Sequence, residues 1–233
     1  MNYVGSKNRH AKDIISVMQK DIDICHKYVE PFVGGGNLFD KVNHDNKYGY
    51  DINKYVIALL KSVRDYGDWF RDVTEEDYKH VRENKDSYSD AIVGFVGFCC
   101  SYSGKFFGGF ARGNDSKGIP RNYALESKRN LEKQISGLSK GELQVASYDT
   151  LSFGKGVVIY CDPPYKGTTK YKDGINYDEF YNWCRKQRER GAVVYVSEYN
   201  MPDDFDCVWG KGVNSSLTKN TGSKKNTERL FKL

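Results

Sequence analysis

Two hydrophobic rhythms share this chain, and the places where one gives way to the other mark its elements. Residues 9–22 place Ile14, Ile15, Val17 and Met18 at helical spacing. Tyr28-Val29-Glu30-Pro31-Phe32 reads as a short strand running into Val33-Gly34-Gly35-Gly36-Asn37, after which Leu38, Phe39 and Val42 are expected to open a helix. Tyr48-Gly49-Tyr50-Asp51-Ile52-Asn53 predicts a second strand ending in an acid, and Val56-Ile57-Ala58-Leu59-Leu60 a further helix. This order of strand, glycine turn, helix, strand, acid and helix is how a doubly wound α/β sheet begins.

The alternation then stops. Residues 64–90 are polar and acidic with a helix expected, and 91–98 are apolar and punctuated by glycine. Ser103 to Gly113 holds four glycines, three phenylalanines and two bases. It predicts a glycine-kinked loop or hairpin that presents Lys105, Phe106, Phe107 and Arg112 outward. The alternative reading makes the phenylalanines the core of a small module. The turn Ile119-Pro120-Arg121-Asn122 precedes a helix over 124–138.

Sheet signals resume with Leu143 to Ser147, Tyr148-Asp149 and the run Val157-Val158-Ile159-Tyr160-Cys161. A helix follows over 178–191, then the strand Ala192 to Val196, and closing strands at Cys207-Val208-Trp209 and Glu228-Arg229-Leu230-Phe231. The Ser/Thr/Asn/Lys-rich stretch Val213 to Thr227 is expected to be mobile. Residues 1–63 and 146–233 thus read as one α/β domain, with 64–145 inserted as a smaller, mostly helical module carrying the hairpin.

Composition changes this picture only modestly. The 233 residues suffice for one domain with an insertion, and 39% hydrophobic against 29% charged is an ordinary globular balance. No stretch approaches the roughly 18 apolar residues of a membrane helix, and the first residues lack a secretory core. A cytoplasmic protein is expected. Six cysteines show no CxxC spacing, so reduced thiols are expected and no metal site. The net charge is +5, but unevenly spread. Acids outnumber bases nine to five over 64–90, whereas bases lead eight to three over 99–140 and six to one over 211–233. Two basic segments suit a polyanion or simply a solvated face.

The densest chemistry lies where the run 157–161 ends in Asp162-Pro163-Pro164-Tyr165. Two prolines terminate a buried strand and fix an acid and an aromatic ring at the carboxyl edge of the sheet, where open α/β folds hold ligands. An acid can accept from an amino group, a rigid turn aims a carbonyl, and a ring offers a stacking face. The set suits a planar base bearing an exocyclic amine, although a strand-to-loop corner with a surface tyrosine would read the same way. Gly34-Gly35-Gly36 lacks both GxGxxG spacing and a Walker lysine. With Asp51 closing the next strand, it suits a ribose-bearing cofactor without pyrophosphate, such as S-adenosylmethionine, or merely a tight turn and a capping acid.

Taken in order, Tyr3-Val4-Gly5-Ser6-Lys7, Glu30-Pro31-Phe32-Val33-Gly34-Gly35-Gly36, Asp51-Ile52-Asn53, the insertion and Asp162-Pro163-Pro164-Tyr165 resemble the Dam-type DNA adenine-N6 methyltransferases along nearly the whole chain. The resemblance implies a Rossmann-like S-adenosylmethionine-dependent sheet with a target-recognition insertion. It implies that Tyr3 and Lys7 hold the methionine end of the donor, Lys7 pairing with its carboxylate. Glu30, Phe32, Gly34 and Gly36 would wall the donor pocket, Asp51 would take the ribose hydroxyls, and Tyr148 and Asp149 would contact the donor adenine. Asp162, Pro163 and Tyr165 would receive a flipped adenine, with Asp162 also bordering the donor. Lys105 and Arg112 are expected at the groove of double-stranded DNA, Phe106 or Phe107 as a wedge, and Lys219, Lys224 and Lys225 on phosphates. Two departures are a tyrosine where Dam enzymes usually have tryptophan, and a short insertion. A monomer, or a weak dimer on DNA, is expected, and the compact arrangement suggests phage or prophage origin. Cytosine N4 or an RNA adenine is the alternative acceptor, and a silent DNA-binding module the alternative class; the acid at Asp162 favours adenine and catalysis.

Overall fold

The structure is a computed structural model that describes residues 1–66, 72–166, 175–214 and 225–233, with backbone only at 213, 214, 225 and 226. Its strands are β1 Lys27–Glu30, β2 Lys47–Asp51, β3 Gly141–Val145, β4 Val157–Cys161, β5 Val193–Glu198, β6 Asp206–Asn214 and β7 Lys225–Lys232. They form one sheet in the order β3-β2-β1-β4-β5-β7-β6. β1 to β5 run parallel, while β7 is antiparallel to both β5 and β6. Successive connections lead outward on opposite sides of β1 and β4, so the carboxyl ends of those two neighbours flank the switch point where such sheets bind ligands. Because β7 runs the other way, its first residues arrive at that same edge.

The helices are α1 Ala11–Ile24, α2 Lys54–Tyr66, α3 Glu75–Glu83, α4 Asp90–Gly94, α5 Tyr123–Glu132, α6 Ile135–Leu138 and α7 Tyr177–Glu189. On α1 the buried residues Ala11, Ile14, Met18 and Ile22 recur every three or four positions and form one apolar face. On β4 the period is two: Val158 and Tyr160 join the core beneath α1 and α2, and Ile159 and Cys161 join the core beneath α7. A strand apolar on both faces is what a central parallel position requires.

Several expectations change. The helix predicted from Leu38 is a single 3₁₀ turn, Phe39–Lys41, and Val42 is already extended. All three apolar residues are nonetheless buried. The space a helix would take is filled by α6, whose Gly137 lies so close that a Cβ there would stand 1.8 Å from the Asp40 carbonyl. The buried Lys47 ammonium satisfies the carbonyls of Phe39 and Val42, each at 2.7 Å. The helix predicted over 124–138 breaks between α5 and α6, where Gln134 turns inward to donate to the Gly35 and Gly36 carbonyls, both at 3.2 Å.

The stretch 91–98 is helical, and α4 runs directly into a π-helical turn, Phe95–Cys99. Val93, Phe95, Val96 and Phe98 share one core with Ile14, Leu59 and Leu60, so the inserted segment is built onto the sheet domain. The sheet resumes at Gly141. Most of the stretch predicted mobile falls outside the described residues; its two ends lengthen β6 and β7. Among the described residues no helix is long and apolar enough to cross a membrane. The six cysteines are free thiols, four of them buried.

Candidate active site

β4 delivers Asp162 to the sheet edge, and the two prolines stop the strand there. The carboxylate oxygen Oδ1 lies 2.8 Å from Lys7 Nζ, with both side chains largely shielded from solvent. Burial pushes the Asp162 carboxyl up to about 6; Lys7 opposes that shift and the neighbouring Glu228 adds to it. The same ammonium lies 3.5 Å from Glu228 Oε1, 3.2 Å from the Gly5 carbonyl and 4.5 Å from the centre of the Tyr165 ring. Tyr165 donates its hydroxyl to Glu228 and meets the Tyr199 ring edge-on at 4.6 Å. Tyr177 donates to the Pro164 carbonyl. Glu198, ending β5, accepts the N–H groups of Lys166 at 3.0 Å and Tyr199 at 2.7 Å, and burial holds its carboxyl near 7.

The glycine turn sits one strand away. Gly34 and Gly36 have φ of +47° and +64°, which a side chain would resist. At Gly34 and Gly35 an added Cβ would also come within 2.8 Å of Tyr3. Asp51, from the end of β2, accepts the Gly34 N–H at 3.0 Å and the Asn53 N–H at 2.9 Å, one on each oxygen. Acid and turn therefore form one unit, and each oxygen keeps a lone pair for a further donor. Glu30 is buried beside them, its carboxyl pushed up to about 8 by burial while Tyr28 donates to it at 2.8 Å. Phe32 packs 5.3 Å from Tyr148, and Tyr148 and Asp149 also border a groove of about 470 Å³ against the α7 residues Glu179, Trp183 and Lys186, which neither the glycine turn nor Asp51 lines. The positive-φ turn, the carboxylate bonded to it and the Phe32–Tyr148 ring pair thus stand near one another at the carboxyl edge of the sheet.

Sequence reasoning placed Tyr3, Lys7, Glu30, Phe32, Gly34, Gly36, Asp51, Tyr148 and Asp149 around one site, and the fold brings their elements to one sheet edge. It did not anticipate Lys7 lying on Asp162. Glu228, Glu198, Tyr199 and Gln134 were missed. For Glu228 a signal existed: it is the one acid among six bases over 211–233.

The glycine-rich segment departs from expectation more sharply. It is indeed a hairpin, closed by Tyr102 N–H to Gly109 O at 2.9 Å and Ala111 N–H to Cys100 O at 2.8 Å. Yet Phe106 and Phe107 do not point outward. Phe106 stacks on Tyr55 at 5.3 Å and packs 4.8 Å from Phe98, and Phe107 lies 5.3 Å from Tyr78. Both rings are half-buried against the core, which gains more than exposing them fully, and Gly97 leaves the room: a Cβ there would stand 2.4 Å from Phe106. Ser103 and Phe107 hold positive φ, 54° and 45°, a costly conformation for such residues. The exposed groups are Lys105, Arg112 and Tyr102, the last with 68% of its surface free. Arg112 also reaches Glu75 on α3. Lys219 and Lys224 lie outside the described residues, as does the side chain of Lys225.

A family model for D12 class N6 adenine-specific DNA methyltransferases matches residues 3–195. The chain belongs to this family. Among curated relatives it is 27% identical to the DNA adenine methylase of Vibrio cholerae serotype O1, covering all of this chain and 94% of that protein. It is 26% identical to the type II methyltransferase M.FokI of Planomicrobium okeanokoites, over 94% of this chain but 35% of that one. It is 25% identical to the DNA N-6-adenine-methyltransferase of Escherichia phage P1, over 76% of this chain and 27% of that enzyme. The match to the D12 model spans the glycine turn, the inserted segment and the Asp162–Tyr165 corner, and ends before Glu198, Tyr199 and Glu228.

Proposed function

We propose that this D12-class chain moves the methyl group of S-adenosylmethionine to N6 of a flipped adenine in double-stranded DNA, with Asp162, Pro163 and Tyr165 receiving the base. The observation that carries this reading is the meeting, at neighbouring strand ends, of a rigid acid–aromatic corner and a glycine turn bonded to Asp51. When bound, the donor supplies an electrophilic methyl on a sulfonium sulfur.

The chain's own residues supply position and field. Gly34, Gly36, Glu30, Phe32 and Tyr3 wall the donor side, Asp51 takes ribose hydroxyls, and Tyr148 with Asp149 borders the donor's base. Lys7 links the two halves: its ammonium lies on Asp162 and near Glu228, and the donor's carboxylate is the third anion it would meet. Asp162 and the Pro163 carbonyl accept from the N6 amine and turn its lone pair out of ring conjugation. The carboxylate also favours the positive charge that grows on nitrogen. Tyr165 stacks on the extruded ring, worth about 1–3 kcal/mol against the few kcal/mol that flipping costs. With Phe106 and Phe107 packed inward, Tyr102 replaces them as the aromatic group facing DNA beside Lys105 and Arg112. Lys219, Lys224 and Lys225 remain assigned to phosphates.

The test is transfer from methyl-labelled S-adenosylmethionine to N6-unmethylated bacterial genomic DNA, with single-molecule sequencing of the product. Expected is N6-methyladenine at one recurring short motif, lost in Asp162→Ala while donor binding by calorimetry changes less than about threefold. Label in cytosine, or an undiminished Asp162→Ala rate, overturns the reading.

A further inference from the structure

Glu228 has no part in the roles assigned above, yet it is 6% exposed and lies among the groups that would hold the base. Its position follows from topology. β7 is the antiparallel strand, so its opening residues stand at the edge where β4 and β5 end, and the pairing of Arg229 with Glu198 sets Glu228 just beyond the end of β5. There one oxygen accepts the Tyr165 hydroxyl and lies 3.5 Å from Lys7 Nζ.

We infer that Glu228 is a positioning residue of the target-base subsite: it fixes the Tyr165 ring through the phenol and gives the Lys7 ammonium a second anchor beside Asp162. This rests on the reading of Asp162 and Tyr165 as that subsite. Two physical arguments carry it. A tyrosine ring that must stack on a base needs its plane fixed; Tyr165 is held at its edge by Tyr199 and at its hydroxyl by Glu228. The second argument concerns charge. Lys7 Nζ, 2.8 Å from Asp162 Oδ1, occupies one acceptor position of the carboxylate and crowds an entering base amine. Freeing that position by moving a buried ammonium is costly unless another anion receives it. Glu228, on the same cation, is that anion. The exchange moves Lys7 from one carboxylate to the other, so the ammonium keeps an anion while Asp162 turns to the amine. Glu228 also adds to the upward shift of Asp162, so its charge bears on the acid limb of the reaction.

Single-turnover methyl transfer to unmethylated genomic DNA, at saturating donor, tests this with Glu228→Ala, Glu228→Gln, Tyr165→Phe and the Glu228→Gln/Tyr165→Phe pair, with Asp162→Ala as control. Glu228→Ala should slow transfer roughly tenfold or more while donor affinity changes less than about threefold. Glu228→Gln keeps an oxygen for the phenol and loses the charge. It should give an intermediate rate, with the acid limb of its pH profile displaced to lower pH. In the Tyr165→Phe background Glu228→Gln should cost less than in the wild type, because part of its action passes through the missing hydroxyl. A Glu228→Ala rate within twofold of wild type, or costs of the paired changes that simply multiply together with an unmoved acid limb, would overturn the inference. Should Glu228→Ala fail to fold, the glutamine variant and its cycle decide. The two readings fail differently: an active Asp162→Ala or an inert wild type removes the base subsite and Glu228 with it, whereas an inactive Asp162→Ala beside a fully active Glu228→Ala removes Glu228 alone.

Discussion

The Lys7 ammonium lies 2.8 Å from Oδ1 of Asp162 and 4.5 Å from the centre of the Tyr165 ring, so one cation already contacts both the carboxylate and the ring. A base amine entering there competes with it. Asp162 is held up to about 6 by burial, with Lys7 acting in the opposite direction. In the role proposed for it Asp162 accepts from N6 in its ionised form, which grows in as pH rises through about 6, so the transfer rate should rise with it. Lys7→Met removes the opposing charge and leaves burial unchecked. Its acid limb should move up by about one unit or more, the scale of an adjacent opposite charge. A kcat–pH profile checks both, and a limb that stays put or moves down refutes the pairing as described.

Glu30 offers a test on stability. Its carboxyl is raised from the usual 4.5 to about 8, so the folded state prefers it protonated. The stabilising contribution is full below about 4.5 and disappears as pH climbs through about 8. Glu30→Gln cannot ionise and keeps an acceptor for the Tyr28 hydroxyl. At pH 9 it should be more stable than wild type by on the order of 3 kcal/mol, with the two nearly equal at pH 4. Urea unfolding at both pH values is the measurement; equal stability at pH 9 would show that Glu30 ionises in place at little cost.

Gly97 lies in the π-helical turn and leaves room for Phe106 and Phe107, against which a Cβ would stand at 2.4 Å and 2.9 Å. Overpacking of this kind costs about 1–3 kcal/mol, and here it would fall on the hairpin that carries Lys105 and Arg112. Gly97→Ala should lower Tm and weaken DNA binding more than donor binding. Equal losses of both would place the damage in the common core instead.

Lys105→Ala and Arg112→Ala should each weaken DNA binding and, where the lost contact is to a phosphate, reduce the slope of log affinity against log salt by about one. The partner of Arg112 is Glu75, and Arg112 itself is exposed, so Arg112→Ala should cost less than about 1 kcal/mol of folding stability. Fluorescence anisotropy across a salt series measures the slope, and thermal melts the stability. An Arg112→Ala protein with unaltered DNA affinity would make this residue a tie between hairpin and helix only.

Much of the frame was legible in the chain. The run 157–161, bounded by two prolines, announced a central strand because a parallel position flanked on both faces leaves no polar alternation. The glycine turn and Asp51 were legible because positive φ and a terminal acid leave residue-type signatures, and five blocks in order pointed to the family. Less was readable where shape depends on neighbours. Nothing local in Leu38-Phe39-Asp40-Lys41-Val42 says that α6 will occupy the helix's place. Nor does a run of Phe and Gly say which ring turns inward, since that depends on the room left by Gly97 and on Tyr55 and Tyr78.

The sequence by itself thus determined the alternation of strands and helices, the acid–aromatic corner, the glycine turn and the family, because each rests on short-range sterics or on fixed residue types. Only the tertiary structure decided what the buried charges face. Lys7, Asp162 and Glu228 lie on segments separated by more than a hundred residues or by the reversal of β7. Whether such groups meet depends on which strand runs antiparallel, and that is a property of the assembled sheet.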